Sequence, residues 1–65
     1  MIQFNVNDMT CGHCVSAVTR AVKEVDVEGT CEVDLATKRV KIVSDRPVED
    51  FRAAIEGAGF TPIPL

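Results

Sequence analysis

The sequence has no tryptophan, no tyrosine and only three phenylalanines in 65 residues, so it offers few flat rings on which nucleic-acid bases could stack. A basic run is missing too. Seven Lys and Arg stand against ten Asp and Glu, giving a net charge of −3. With no electrostatic footprint for a phosphate backbone, nucleic acid is excluded as a partner. The longest apolar run is Ala53-Ala54-Ile55, far short of the roughly 20 residues a membrane-spanning helix needs. The opening Met1-Ile2-Gln3-Phe4-Asn5 has neither the basic start nor the apolar stretch of a secretory signal, so the expected compartment is the cytoplasm. A chain this short supports one small core. One domain over residues 1–65 is expected, without the core to frame a large enzyme cleft, and no enzymatic activity is expected.

What is present is clear periodicity. Ile2, Phe4 and Val6 alternate with Gln3, Asn5 and Asn7, as in a half-buried strand. Met9-Thr10-Cys11-Gly12 breaks the alternation and reads as a loop. From about His13, Val15, Val18, Val22 and Val25 trace one helical stripe, with Arg20, Lys23 and Glu24 on the wetter side, until Glu28-Gly29. Cys31, Val33 and Leu35 mark a second strand, Ala36-Thr37-Lys38 a short turn, and Val40 and Ile42 a third strand. Asp45-Arg46-Pro47 starts a second helix with Pro in its first turn. Val48, Phe51, Ile55 and Ala58 form its apolar stripe, and Gly57 and Gly59 end it. Phe60 to Leu65 is a last extended segment. The order βαββαβ predicts an α+β, ferredoxin-like fold: a four-stranded antiparallel sheet in order 4-1-3-2 with both helices on one face. Pro62 and Pro64 lack N–H groups on the same side, which an edge strand tolerates. The last strand is an edge in that order.

Chemistry concentrates in Cys11-Gly12-His13-Cys14. Cys11 falls in the loop after the first strand and Cys14 in the first turn of the helix, so both sulfurs can converge on one ion. The helix amino end supplies partial positive charge and free N–H donors, which favour thiolate. Gly12 is expected to give the loop a tight conformation without a Cβ clash. Two thiolates with no second Cys or His pair cannot complete a structural zinc site. Soft Cu(I) favours thiolates and can be held by two, an incomplete shell suited to handing the ion on. The same four residues also serve thiol–disulfide exchange in thioredoxin-like oxidoreductases, though those typically place an aromatic residue before the first cysteine and use a longer chain.

Met9-Thr10-Cys11-Gly12-His13-Cys14, in the first loop of a 65-residue βαββαβ chain, resembles the heavy-metal-associated (HMA) domain family, and within it the standalone bacterial CopZ-like copper chaperones. The likeness runs the length of the chain and includes Ala58-Gly59-Phe60 before the last strand. It implies a carrier that binds Cu(I) on Cys11 and Cys14 and passes it by ligand exchange to a copper-transporting P-type ATPase, through that enzyme's amino-terminal metal-binding domain. It also implies that Met9 anchors the loop from below and that Phe60 lies beside the metal. Asp8 stands where the family often has Gly. Phe60 stands where bacterial relatives often have Tyr and eukaryotic ones Lys, so a hydroxyl or cationic contact is missing there. Zinc-type relatives carry Asp before the first cysteine; Thr10 in that place argues for Cu(I) over Zn(II) or Cd(II).

His13 is expected to face solvent or to tune a neighbouring thiolate rather than bind metal. Cys31, in phase with Val33 and Leu35 and far from the loop, is expected to be a buried structural thiol. Two exposed cysteine loops also allow a copper-bridged homodimer. A Cu(I) buffer and an excised ATPase module are the competing readings. Because Met1 opens the first strand and Leu65 closes the fold, a standalone carrier is expected.

Overall fold

Alternation sorts the strand residues into two faces, and the register aligns those faces across the sheet. In the computed structural model, which describes all 65 residues, β1 (Ile2–Asn5), α1 (Gly12–Val25), β2 (Thr30–Asp34), β3 (Arg39–Val43), α2 (Val48–Gly57) and β4 (Ile63–Pro64) follow one another. The strands form one antiparallel sheet in the order β2-β3-β1-β4. This is the ferredoxin-like arrangement expected. Ile2 lies opposite Ile42, which lies opposite Cys31; Phe4 lies opposite Val40, which lies opposite Val33. On the other face Lys41 opposes Glu32 and Arg39 opposes Asp34, all exposed.

Both helices cover the apolar face. Val18 and Val22 from α1, and Phe51 and Ile55 from α2, close over Phe4, Val6, Val40 and Ile42, with Met9 completing a cluster of nine fully buried side chains. Each contributes about 1.5–3 kcal/mol by leaving water.

The helix stripes differ in detail from the apolar pattern. Cys14, not Val15, packs against the core from the first turn of α1, because Cys14, Val18, Ala21, Val22 and Val25 share the inward side of a 3.6-residue repeat. Pro47 is the cap residue before α2 rather than part of its first turn. Its ψ of 146° is extended, so the helix begins at Val48. Val48 and Ala58, at the ends of the expected stripe, are exposed.

At the other end of α2, Gly59 has φ 99° and donates to the Glu56 carbonyl, while Phe60 N–H donates to Ile55 O at 3.3 Å. This paired pattern is a Schellman ending, and the left-handed residue it needs is glycine. β4 tolerates Pro62 and Pro64 because their missing N–H positions turn outward, away from β1, while Leu65 N–H donates inward to Gln3 O at 3.0 Å. Pro62 is buried and Ile63 exposed, so Phe60 and Pro62 share the inward parity.

The register also gathers the loops. Asn5 lies opposite both Arg39 and Ile63, so the β1–α1 loop, the β2–β3 turn and the α2–β4 loop meet at one end of the sheet. The α1–β2 connection lies at the other.

Candidate metal centre

At the gathered end, the chain leaves β1 through Val6, buried like Met9, with Asn7 and Asp8 exposed between them. Met9 N–H donates to Val6 O at 3.2 Å, closing a tight turn. The Met9 side chain is sealed inside the core, which places its sulfur under the loop and out of reach of solvent. Thr10, Cys11, Gly12 and His13 then emerge exposed.

Cys11 is the extended residue that caps α1, with φ −156° and ψ 175°. Its carbonyl accepts the N–H groups of Cys14 at 3.1 Å and Val15 at 3.2 Å. Its side chain makes no capping bond, so the thiol is free to face outward. Cys14 lies one turn into the helix, half-buried. The two sulfurs are 3.7 Å apart; a disulfide would bring them to about 2.05 Å, and all three cysteines are free thiols. The Thr10 hydroxyl is 4.0 Å from the Cys14 sulfur. The backbone N–H of Thr10 is the strongest influence holding the Cys14 thiol below its ordinary pKa; burial opposes it, and the Cys11 N–H, Cys11 thiol and Thr10 hydroxyl assist. Donors that favour the charged form outweigh the desolvation of a half-buried sulfur.

His13 is exposed and lines a shallow groove on the outer side of α1 with Ser16, Ala17 and Arg20, a set that contains neither cysteine. No group of three or more His, Cys, Asp or Glu side chains converges anywhere in the molecule. The cysteine pair therefore stands as a two-sulfur site. Phe60 is half-buried and packs against the core cluster. Gly12 differs from expectation: it has no positive φ, and a Cβ added there would meet nothing within 4 Å. Its loop needs no glycine on backbone grounds, because Gly12 is already the first residue of α1. Cys31 is half-buried rather than buried, since β2 is an edge strand. It sits level with Ile2, at the end of the sheet away from the pair.

Two contacts outside the cysteine motif tie the loop to its neighbours. The Asp8 carboxylate accepts the Thr61 N–H at 3.1 Å, joining the loop to the segment that follows α2. From the β2–β3 turn, Lys38 donates its ammonium to the Met9 carbonyl and its own carbonyl accepts the Val6 N–H at 2.7 Å. Sequence patterning missed Lys38. The signal available was its place at the end of the expected Ala36-Thr37-Lys38 turn, where left-handed backbone is common. No helix is long and apolar enough to cross a membrane.

The profile of the heavy-metal-associated domain matches residues 3–61. The chain is 37% identical over 59 residues to the copper chaperone CopZ of Staphylococcus aureus, covering 86% of this chain and 87% of that one. It is also 37% identical over 60 residues to the copper-transporting ATPase 1 of Rhizobium meliloti, covering 89% of this chain but 7% of that much longer protein. Among solved structures, a gold binding protein superposes with a TM-score of 0.95 at 35% identity, covering 100% of both chains. With its core, its sheet order and its exposed cysteine pair, this chain belongs to the heavy-metal-associated domain family.

Proposed function

We propose that this protein is a cytoplasmic copper chaperone that binds Cu(I) through the thiolates of Cys11 and Cys14 and delivers it to a copper-transporting P-type ATPase. The observation that carries the reading is the pair itself. Two sulfurs stand 3.7 Å apart at an exposed helix start, with no third ligating group beside them. Thiolates select soft ions, and the relatives named for copper and gold both carry soft metals by name. Two ligands leave the ion open on its exposed side, so an incoming thiolate can bind before either cysteine lets go. Transfer by ligand exchange then never requires a bare ion. Thr10 and Gly12 flank the two cysteines, His13 faces solvent on the outer side of the helix, and Met9 and Phe60 pack into or against the core. The 65 residues act in this reading as one metal-binding domain.

The match to part of a copper-transporting ATPase supports a second reading, in which the same fold is the receiving module of such an enzyme. Titrating Cu(I) against a chelator of known affinity, with metal content and mass measured together, tests the binding. One Cu(I) per chain, lost in Cys11→Ser, is expected; a mass of two chains per ion would reveal a copper-bridged homodimer. Mixing the loaded protein with an ATPase amino-terminal domain then separates donor from module. A carrier passes its metal on, and a module takes metal from a separate chaperone.

A further inference from the structure

Lys38 is the only residue other than glycine with a positive φ, at 61°. Side chains with a Cβ resist this left-handed backbone, at a cost of roughly 1–2 kcal/mol, and Gly or Asn usually occupies it. A lysine held there points to a use for its side chain. Backbone and side chain both reach across to the β1–α1 loop. The Lys38 carbonyl accepts the Val6 N–H at 2.7 Å, and the ammonium donates to the Met9 carbonyl.

The Met9 carbonyl and the Thr10 N–H belong to one planar peptide group, so fixing one fixes the other. Thr10 borders the metal pair, next in sequence to Cys11 and with its hydroxyl 4.0 Å from the Cys14 sulfur. Cu(I) with two thiolates carries a net single negative charge, which a cation held one peptide away favours. The β2–β3 turn thus reaches the site through one peptide, without touching a ligand.

We propose that Lys38 is a positioning residue for the metal: from the β2–β3 turn it holds the Met9–Thr10 peptide in place and so sets how tightly Cys11 and Cys14 retain Cu(I). This rests on the Cu(I) reading above.

Lys38→Gly removes the ammonium and suits the backbone, and Lys38→Arg restores a cation. In the metal-free protein, the Thr10 amide should exchange several-fold faster in Lys38→Gly and return toward the wild-type rate in Lys38→Arg. Cu(I) affinity in chelator competition should fall about tenfold in Lys38→Gly, the usual scale for a group acting through a ligand's surroundings. Stoichiometry should stay at one per chain and the melting temperature should not fall. Wild-type affinity in Lys38→Gly would overturn the proposal, as would a loss that Lys38→Arg does not restore. An unchanged Thr10 amide would do the same, with the Cu(I) reading left standing. Failure of the wild type to take up Cu(I) would instead overturn that reading and this inference together.

Discussion

The two ends of the sheet treat a thiol in opposite ways. Cys14 and Cys31 are both half-buried and both pack against the core, so desolvation pushes each thiol pKa upward. At Cys31 that push prevails, against help from the Thr19 side chain and the charge of Lys23. At Cys14 it is overcome, first by the Thr10 N–H and then by donors from Cys11 and Thr10. Burial alone does not decide which way a thiol pKa moves. The difference is the loop that leads into α1, whose Thr10 and Cys11 groups favour the charged form of the sulfur.

The strongest way to break this comparison is to remove each thiol in turn. Cys11→Ser and Cys14→Ser should each abolish tight Cu(I) binding in competition with a chromophoric chelator, with the circular dichroism of the fold retained. Cys31→Ser should keep wild-type stoichiometry and lose about 1 kcal/mol of stability, because a hydroxyl replaces a sulfur resting on apolar neighbours. If Cys31→Ser lowered the stoichiometry as the other two do, the separation of the two ends would be wrong.

A second contrast lies within the metal end itself. The α2–β4 loop depends on Gly59, whose φ of 99° is open to glycine but strained for other residues. Gly59→Ala should cost roughly 1 kcal/mol in urea unfolding, by straining the turn that brings Phe60 back onto the core. An unchanged midpoint would mean that this loop is no better fixed than its neighbour.

The pattern of sheet and helices was legible from alternation and the helical repeat, since Phe4, Val6, Val40, Ile42, Val18, Val22, Phe51 and Ile55 each fall in phase and each is buried. The cysteine pair was legible because its meaning is local: four residues at a strand-to-helix junction. The choice between Val15 and Cys14 was not, because neighbouring residues lie 100° apart on a helix and the apolar stripe is wider than that. The ties from Asp8 to Thr61 and from Lys38 to Met9 join residues 53 and 29 positions apart. Their residue types carry no periodic signal, and only the closed sheet brings those loops together.

A gentler test compares the ends by acid. At the far end, Asp26 accepts from the Ser44 hydroxyl at 2.5 Å and from the Glu28 N–H at 3.1 Å. The Ser44 hydroxyl is the main reason its carboxyl titrates below the ordinary value; burial opposes, and the Glu28 N–H, the Arg46 charge and the Gly29 N–H add to it. A carboxyl with a lowered folded pKa contributes stability that is full above its unfolded value of about 3.9. That contribution is lost as pH falls through the folded value. Urea midpoints between pH 6 and pH 3 should therefore drop more for the wild type than for Asp26→Asn. Parallel curves would remove Asp26 from the account of the far end. The effect should be modest, because the pair is partly open to solvent.

The smallest effect is expected at Gly12, and it bears on whether the cysteine loop is shaped for metal before metal arrives. Gly12 opens α1 with ordinary backbone and open space where a Cβ would go. Alanine fits that geometry and narrows the unfolded ensemble, so Gly12→Ala should raise stability by about 0.4–1 kcal/mol. Cu(I) affinity should then change less than about twofold, because 1.4 kcal/mol corresponds to tenfold and no contact is lost. The comparison with Gly59 is direct: two glycines at one end of one sheet, with opposite signs on replacement by the same residue. Thermal unfolding with and without Cu(I) measures both. A variant stabilised without metal but much weakened in affinity would show that the loop rearranges on loading into a conformation that only glycine allows. Matching gains in both states would show that the free loop already has the shape that holds the ion.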